Sequence, residues 1–243
     1  MGSNVSPKRT STNILKMISH AKLTKVIPIA SFQEEVAGLS GDWIAHFNYR
    51  QYEGEWMALS LRSPGGKTDQ IIPDQVLQQD YADTNLMEAC PSIHAWLQEF
   101  DCPLLSVRLL KLKTNSVIKE HRDHELSFEK GEARLHVPVF TNPSVEFYLN
   151  NVLVKMQEGE CWYINANLPH RVSNKGTTDR IHLVIDCQVN NWLKSLFQQG
   201  KRYYAIHSTT DDTRKIIEEL RSQNTEVSNR LANEMEHQLN QTI

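Results

Sequence analysis

Residues 133–186 read ARLHVPVFTNPSVEFYLNNVLVKMQEGECWYINANLPHRVSNKGTTDRIHLVID. Six short segments of this stretch are rich in apolar residues, and the pairs Asn150-Asn151, Glu158-Gly159 and Lys175-Gly176 separate several of them as turn formers. Many short strands joined by frequent turns are typical of a sandwich or barrel rather than of a sheet with alternating helices. This stretch therefore predicts a mainly β domain.

The strand pattern extends toward the N-terminus. The segment 104–112, LLSVRLLKL, and the segments 41–48 and 54–63, GDWIAHFN and GEWMALSLRS, also read as strands. Between them, apolar residues recur at helical spacing from Ile93 to Phe100, and Pro91 suits the first turn of a helix. The middle of the chain is thus predicted as β structure with flanking helices.

The C-terminal part changes character near Tyr204. Two helical stretches are predicted, and the second carries Val227, Leu231, Met235 and Leu239 at steps of four residues. This stripe either packs on its own domain, which we favour, or forms the seam of a homodimer. The predicted division is a disordered tail over residues 1–12, a β domain over 13–200 and a helical extension over 201–243.

Composition narrows the class of protein. The 243 residues carry a net charge of −3, which argues against a broad nucleic-acid-binding surface. No apolar run approaches the length of a membrane span, and the first residues lack an apolar signal segment. The four cysteines lie far apart, which argues against a disulfide scaffold and a zinc ribbon. We expect a cytoplasmic protein with no nucleic-acid or membrane partner.

The segment 118–127, IKEHRDHELS, contains a His-x-Asp pair, His121 and Asp123. On an extended chain, residues two apart point to the same side. If a neighbouring strand brings His170 beside them, two imidazoles and one carboxylate form the facial triad of non-haem iron(II) oxygenases. His-x-Asp alone is weak evidence, since the chain has ten histidines and surface His-Asp pairs are common.

Arginines at strand positions add to this pattern. Arg180 follows His170 across the Lys175-Gly176 turn, and its planar fork suits the distal carboxylate of a dicarboxylate cosubstrate. Arg134 and His136 share one face of their strand, which suits an anion pocket, although a solvent-facing edge is the alternative. Arg108 alternates with apolar neighbours, and a buried arginine needs a partner such as a substrate carboxylate.

The pieces VRLLKL, HRD, RLHVPV, GECWYINANLPHRVSN and RIHLVID resemble, in this order, the aspartyl/asparaginyl β-hydroxylase family of Fe(II)/2-oxoglutarate oxygenases. They fall between about Ser106 and Gln188, about a third of the chain in strong motifs. The bacterial branch that includes L-proline cis-4-hydroxylase is nearer than the branch that acts on epidermal-growth-factor-like domains. The stretch HFNYRQYEGEW also resembles the family, but more loosely.

The resemblance implies a double-stranded β-helix, the jelly-roll core of cupin-like oxygenases, that uses Fe(II), 2-oxoglutarate and O2. It implies that the iron ligands are His121, Asp123 and His170, and that Arg180, with His136 nearby, binds 2-oxoglutarate. It also places Arg134 and Arg108 toward the substrate, with Arg122 as a further candidate. From their strand positions, Arg62 and Trp162 are candidates for the substrate pocket as well, although the default role of Trp162 is core packing.

Three functions remain open. The first is hydroxylation of a free amino acid or similar small carboxylate, with succinate and CO2 as co-products. The second is β-hydroxylation of Asp or Asn side chains in a peptide or protein, which an open groove would favour over a closed pocket. The third is a cupin-like sensor that binds metal and 2-oxoglutarate without turnover.

Overall fold

The computed structural model describes residues 15–39, 43–72, 80–123, 126–207 and 209–241, so the tail predicted over residues 1–12 lies outside the described residues. The chain divides into two compact units, one formed by Ile18–Tyr203 and the other including the chain from Tyr204 onward. The domain boundaries predicted from the sequence stay predictions.

Strands outnumber helices in the described part of the chain. The strands are β1 Leu15–Leu23, β2 Ile44–Ala45, β3 Tyr52–Glu53, β4 Trp56–Pro64, β5 Tyr81–Asp83, β6 Leu104–Leu112, β7 Ser116–His121, β8 Glu132–Phe140, β9 Val145–Leu149, β10 Val152–Leu153, β11 Cys161–Ile164, β12 His170–Asn174, β13 Arg180–Gln188 and β14 Lys201–His207. The helices are α1 Ile29–Gly38, α2 Pro91–Leu97, α3 Asn191–Gln199, α4 Thr209–Ser222 and α5 Glu226–Gln241, with 3-10 turns at Tyr49–Gln51, Asn85–Ala89 and Phe128–Lys130.

Two antiparallel sheets form the core of the first unit. Strands β6 to β13 supply four neighbours in each sheet, in the order β11-β8-β13-β6 in the larger and β10-β9-β12-β7 in the smaller. Consecutive strands change sheet, except at the β9–β10 hairpin. This topology is the double-stranded β-helix, or jelly roll, so the predicted fold class is confirmed. In the larger sheet, β1 lies beside β11, and β4 and β2 extend it beyond β6.

The larger sheet has an apolar face and a polar face. Leu135, Val137 and Val139 of β8 are fully buried in a core with residues of α1, α2 and α3. Arg134 and His136 alternate with them, yet they are only 9% and 7% exposed. The alternative of a solvent-facing edge is therefore wrong for these two residues, which line the space between the sheets.

Several predicted elements match the structure, while others are shorter. The segments 104–112 and 170–174 coincide with β6 and β12, and Pro91 opens α2 as predicted. Residues 152–156 were predicted as a strand, but β10 ends at Leu153 because the chain turns away after one last bond from the Val154 amide to the Phe147 carbonyl. The predicted strand over GDWIAHFN shows only β2 among its described residues.

The second unit contains α4 and α5, which pack against each other. Among the α5 residues whose burial the structure describes, the small residues Ser228 and Ala232 are buried. Val227 and Leu231 are 64% and 44% exposed, so the favoured interpretation that the whole stripe packs on its own domain is wrong for these two. The dimer seam stays a prediction. No helix in the described residues has the length and apolar character needed to cross a lipid bilayer.

The four cysteines, Cys90, Cys102, Cys161 and Cys187, are all described and all free. The expectation that the chain is not a disulfide scaffold stays a prediction.

Candidate metal centre

Two neighbouring strands of the smaller sheet bring the predicted triad together. β7 ends at His121 and β12 begins at His170, and the strand register places these two residues opposite each other. Their ring centroids are 4.2 Å apart. Asp123 follows β7 and is fixed by its backbone N–H, which donates to the Ala166 carbonyl at 2.9 Å. One ligand atom of each of His121, Asp123 and His170 lies within 4.8 Å of the others.

Backbone carbonyls set the orientation of both imidazoles. The His121 Nδ1 lies 2.8 Å from the Lys119 carbonyl, and the His170 Nδ1 lies 3.0 Å from the Leu168 carbonyl. Because a carbonyl only accepts hydrogen bonds, each Nδ1 carries a proton, which leaves Nε2 as the atom for metal binding. Burial lowers the pKa of His170 to about 4, so this ring is neutral at pH 7. Neutral imidazoles with a free Nε2 are ready metal ligands.

The third ligand candidate is ionised. Burial raises the pKa of the Asp123 carboxyl, but the positive charge of Arg134, with smaller contributions from its neighbours, outweighs it and leaves the pKa below its usual value. Arg134 Nη1 donates a hydrogen bond to Asp123 Oδ2, while Asp123 Oδ1 lies 3.7 Å from His121 Nε2. Two imidazoles and one carboxylate fit the donor set of an iron(II) facial triad, which leaves the opposite face for other ligands.

A buried carboxylate that sequence reasoning missed holds two of the predicted arginines. Asp186 Oδ1 accepts from Arg134 Nε at 2.7 Å, and its Oδ2 accepts from Arg134 Nη2 and Arg108 Nη2, both at 2.9 Å. Ser106 Oγ donates to the same Oδ2 at 2.8 Å. Burial raises the pKa of Asp186, but the two arginines hold it far below its usual value. The alternation Arg180, His182, Asp186 along β13 is a signal that could have revealed this residue.

Arg180 lies further along the same face of β13. It is 2% exposed, its Nη2 lies 2.8 Å from His182 Nδ1, and its Nε has no hydrogen-bond partner among the described residues. Burial alone lowers the pKa of Arg180 to about 9, with no neighbouring carboxylate to offset it. His136 Nδ1 lies 3.5 Å from His182 Nδ1, and burial holds the pKa of both rings well below the usual value. A buried cation without a counter-charge in the described residues suits an anionic ligand.

These groups line one cavity of about 360 Å³, hereafter the front cavity. Eight of the ten predicted site residues line it: His121, Asp123, His170, Arg180, His136, Arg134, Arg108 and Arg122. Its size and mixed lining are typical of a small-molecule site.

The other two predicted residues, Arg62 and Trp162, do not line the front cavity. Arg62 pairs with Asp83 at 2.8 Å and donates to the carbonyls of Tyr81 and Leu104. Trp162 donates through Nε1 to Glu160 at 2.8 Å. Both side chains are committed elsewhere, so the structure does not bring them to the predicted site.

Two aromatic residues of the front cavity were also missed. The rings of His46 and Trp56 stack with centroids 3.5 Å apart, and both line the front cavity. Burial lowers the pKa of His46 to about 3, so its ring is neutral. Only the loose likeness of the stretch HFNYRQYEGEW pointed to this wall, because a single histidine and a single tryptophan carry no spacing pattern.

Known proteins are similar to most of the chain. A family model described as Aspartyl/Asparaginyl beta-hydroxylase matches residues 30–189. The L-proline cis-4-hydroxylase of Rhizobium meliloti (strain 1021) is 25% identical over 169 residues, which are 69% of this chain and 60% of that protein. The chain therefore spans about 60% of the length of this curated relative.

Solved structures also resemble this chain, with lower sequence identity. An oxidoreductase of the 2OG-Fe(II) oxygenase family from Burkholderia pseudomallei matches 67% of this chain and 79% of its own, with 11% identity and a TM-score of 0.45. A viral collagen prolyl hydroxylase from Paramecium Bursaria Chlorella virus-1 matches 71% of this chain and 97% of its own, with 11% identity and a TM-score of 0.40. The family match, over residues 30–189, includes every residue placed in the front cavity.

Proposed function

The chain belongs to the aspartyl/asparaginyl β-hydroxylase family, and from this premise we propose that it is an Fe(II)- and 2-oxoglutarate-dependent hydroxylase of a free amino acid or similar small carboxylate. One observation carries the proposal. The support is that His121, Asp123 and His170, which could hold a metal ion, line the same cavity as Arg180, a buried arginine whose Nε has no partner among the described residues.

Fe(II) would be held by His121 Nε2, His170 Nε2 and a carboxylate oxygen of Asp123. When bound, Fe(II) with 2-oxoglutarate and O2 supplies the oxidising power that inserts one oxygen atom into a C–H bond, with succinate and CO2 as co-products. The chain's own part is to fix the ligands before the metal arrives. The Lys119 and Leu168 carbonyls hold the two imidazoles, and Arg134 holds the carboxylate.

Arg180 would bind the distal carboxylate of 2-oxoglutarate. Its guanidinium is desolvated, and its Nε donor is unsatisfied among the described residues. A carboxylate there would satisfy that donor and neutralise the charge at once. His182 Nδ1 accepts from Arg180 Nη2 and so keeps the guanidinium in place. His136, neutral and next to His182, lines the front cavity together with Arg180 and the triad residues.

Cavity size and one arginine support the small substrate. A cavity of about 360 Å³ is at the small end of ligand sites. Arg108 has a buried Nε without a partner among the described residues, although its Nη2 is bound to Asp186. A substrate carboxylate would satisfy that donor. Arg134 has less to offer a substrate, because its Nε and both Nη atoms already donate to Asp186 and Asp123.

A second candidate is an Asp or Asn side chain within a peptide. The family description itself names these residues. Phe47 lines the front cavity and is 48% exposed, and Tyr49, close to it in sequence, is 69% exposed. Exposed aromatic side chains beside a cavity suit contacts with a chain that extends outside it.

The test is incubation of the iron-loaded protein with 2-oxoglutarate, air and separate pools of amino acids and Asp/Asn peptides, followed by mass spectrometry for one added oxygen atom. We expect an oxygenated product from the amino-acid pool, with one succinate formed per product. Asp123→Ala is expected to abolish the product, whereas Glu120→Ala, an exposed acid on β7 that pairs with Arg171, keeps it.

Product from the peptide pool alone would select the second candidate. Binding of metal and 2-oxoglutarate without oxygen transfer to any pool, or full activity in Asp123→Ala with iron bound, would contradict the proposal.

A further inference from the structure

A second cavity lies on the other side of Arg180. This rear cavity has a volume of about 610 Å³. Its walls come from residues 141–143, 145 and 147, from residues 154–158, and from Arg180 and His182. It is therefore formed by the segment between β8 and β9, the segment after β10, and the first residues of β13.

The rear cavity lies at the Arg180 end of β13, and Phe147 on its wall also lies against His170 of the triad. On β13, Asp186 pairs with Arg134, which contacts Asp123, so this part of the strand is near the triad. Arg180 begins the same strand six residues earlier, about 20 Å away along an extended chain. β8 runs antiparallel to β13 and ends at Phe140, immediately before the segment that lines the rear cavity.

Phe147 and Arg180 line both cavities, so the two cavities adjoin at these side chains. Phe147 is 4% exposed and its ring stacks on the His170 ring with centroids 6.2 Å apart. Arg180 brings its unsatisfied Nε donor to the same place. A carboxylate bound to Arg180 is therefore next to the rear cavity as well as to the front cavity.

The charges around the rear cavity favour an anion. Lys155 is exposed on its wall and Arg180 lies at its inner end. Glu158 supplies the opposing charge, but its carboxylate already accepts from the Thr141 amide at 2.9 Å and from Gln33 Nε2 at 3.0 Å. With His182 neutral, the wall carries two cationic groups and one anionic group, which attracts a dianion.

We propose that 2-oxoglutarate enters and succinate leaves through the rear cavity, while the substrate uses the front cavity. This inference rests on the proposed function. Arg180 and the triad residues line the same front cavity, so a substrate that fills this cavity would block the exchange of a dicarboxylate bound to Arg180. The rear cavity gives that dicarboxylate a path that the substrate does not cross, and it lets the two molecules exchange independently.

The experiment is a stopped-flow measurement of the visible charge-transfer band of the Fe(II)–2-oxoglutarate complex under anaerobic conditions. Association is followed after mixing with 2-oxoglutarate, and dissociation is followed after a chase with excess N-oxalylglycine. Met156→Trp narrows the rear cavity, and Gln51→Trp narrows the front cavity. Leu153→Trp is the matched control, because Leu153 is 38% exposed and lines neither cavity.

Met156→Trp is expected to lower the association and dissociation rate constants together, by about tenfold, with little change in the dissociation constant. A narrowed route raises the barrier equally in both directions. Gln51→Trp and Leu153→Trp are expected to match the wild type. Gln157→Trp, at an exposed position on the same wall, repeats the test if Met156→Trp does not fold, as judged by circular dichroism.

The rear route is overturned if 2-oxoglutarate binds and dissociates slowly in Gln51→Trp but at wild-type rates in Met156→Trp and Gln157→Trp. The proposed function stays intact in that case. A change in the dissociation constant alone in the rear variants also overturns it, because a route affects rates rather than affinity. If the wild type and Leu153→Trp both lack the band, the proposed function itself fails, and the route fails with it.

Discussion

At the scale of single residues, Arg180 is a cation that the described part of the protein leaves without a carboxylate. Its burial costs stability as long as no anion is bound, because the charged guanidinium is desolvated. The pKa of Arg180 in the folded state, about 9, lies below its value in the unfolded chain. The cost is therefore fully present at pH 7 and declines only as the pH rises above about 9.

Arg180→Met is expected to stabilise the ligand-free protein by about 1 kcal/mol or more, because a buried charge is replaced by an apolar side chain of similar length. It is also expected to remove the stabilisation that 2-oxoglutarate gives to the iron-loaded wild type. Urea unfolding with and without 2-oxoglutarate measures both effects. Arg171→Met, at a half-exposed arginine paired with Glu120, serves as control and should change stability by less than about 0.5 kcal/mol. A destabilised Arg180→Met variant that still responds to 2-oxoglutarate would contradict this role.

Asp186 is the opposite case, a buried anion that two arginines neutralise. Asp186→Asn leaves Arg108 and Arg134 partly unpaired and is expected to destabilise the protein by about 3–5 kcal/mol at pH 7. The folded-state pKa of Asp186 is depressed. Its stabilisation is thus complete above the unfolded pKa of about 3.9 and is lost as the pH falls below that value.

The measurement for Asp186 is urea unfolding of the wild type and Asp186→Asn at pH 7 and at successively lower pH. The difference between them should shrink below about pH 4. Asp83→Asn is the control, since Asp83 pairs with Arg62 near the surface and its loss should cost less than about 1 kcal/mol. If both substitutions lower the free energy of unfolding equally at pH 7, the buried pairs of Asp186 contribute no more stability than a surface ion pair, which would contradict this account.

At the scale of elements, the β9–β10 hairpin was predicted from its Asn150-Asn151 pair and is confirmed. Both residues have positive φ, 48° and 62°, as a two-residue hairpin turn requires. Asn150→Ala is expected to lower the free energy of unfolding by about 1 kcal/mol, because alanine tolerates the left-handed region poorly. Asn150→Gly should be close to neutral. Urea unfolding of the pair checks this, and an alanine variant as stable as the glycine variant would refute it.

Alternation along the strands made most of the core elements predictable. β6, β8 and β13 were readable because each alternates between an apolar face packed on helices and a second face toward the front cavity. The strand predicted over residues 152–156 was too long, because Val154 is buried although it lies outside β10. Apolar character alone therefore did not locate the end of β10.

The candidate site was predictable where a motif or a spacing singled out its residues. The His-x-Asp pair, His170 and the strand arginines were identified in this way, and the structure brings them together. Asp186 was missed because its role depends on pairing across strands, with Arg134 on β8 and Arg108 on β6. Arg62 was wrongly assigned to the site. Alternation along a strand indicates which face a side chain occupies, but it cannot reveal an ion pair such as the one with Asp83.

At the scale of the whole molecule, the site and the C-terminal helices belong to different compact units. The residues that line the front cavity fall between His46 and Asp186, within the unit Ile18–Tyr203. A chain that ends at His207 lacks α4 and α5 and is expected to bind Fe(II) and 2-oxoglutarate with unchanged affinity. Anaerobic titration of the charge-transfer band measures this. Loss of the band in a truncated chain that keeps its β circular-dichroism signal would show that the helices are required.

The same two chains test the predicted homodimer. Val227 and Leu231 are exposed on α5, where a seam would need apolar residues. If α4 and α5 form the seam, light scattering will give a dimer mass for the full chain and a monomer mass for the chain ending at His207. Equal states of assembly in both chains would exclude these helices as the dimer contact.

The central claim is that His121, Asp123 and His170 hold Fe(II) beside a 2-oxoglutarate site at Arg180. The most direct measurement is anaerobic titration of Fe(II) and 2-oxoglutarate into the wild type and His170→Ala, with His94→Ala as the control at a partly exposed histidine outside the front cavity. The account predicts the visible charge-transfer band in the wild type and His94→Ala, and its loss in His170→Ala. A wild type that binds iron but shows no band, or a band that persists in His170→Ala, would contradict it.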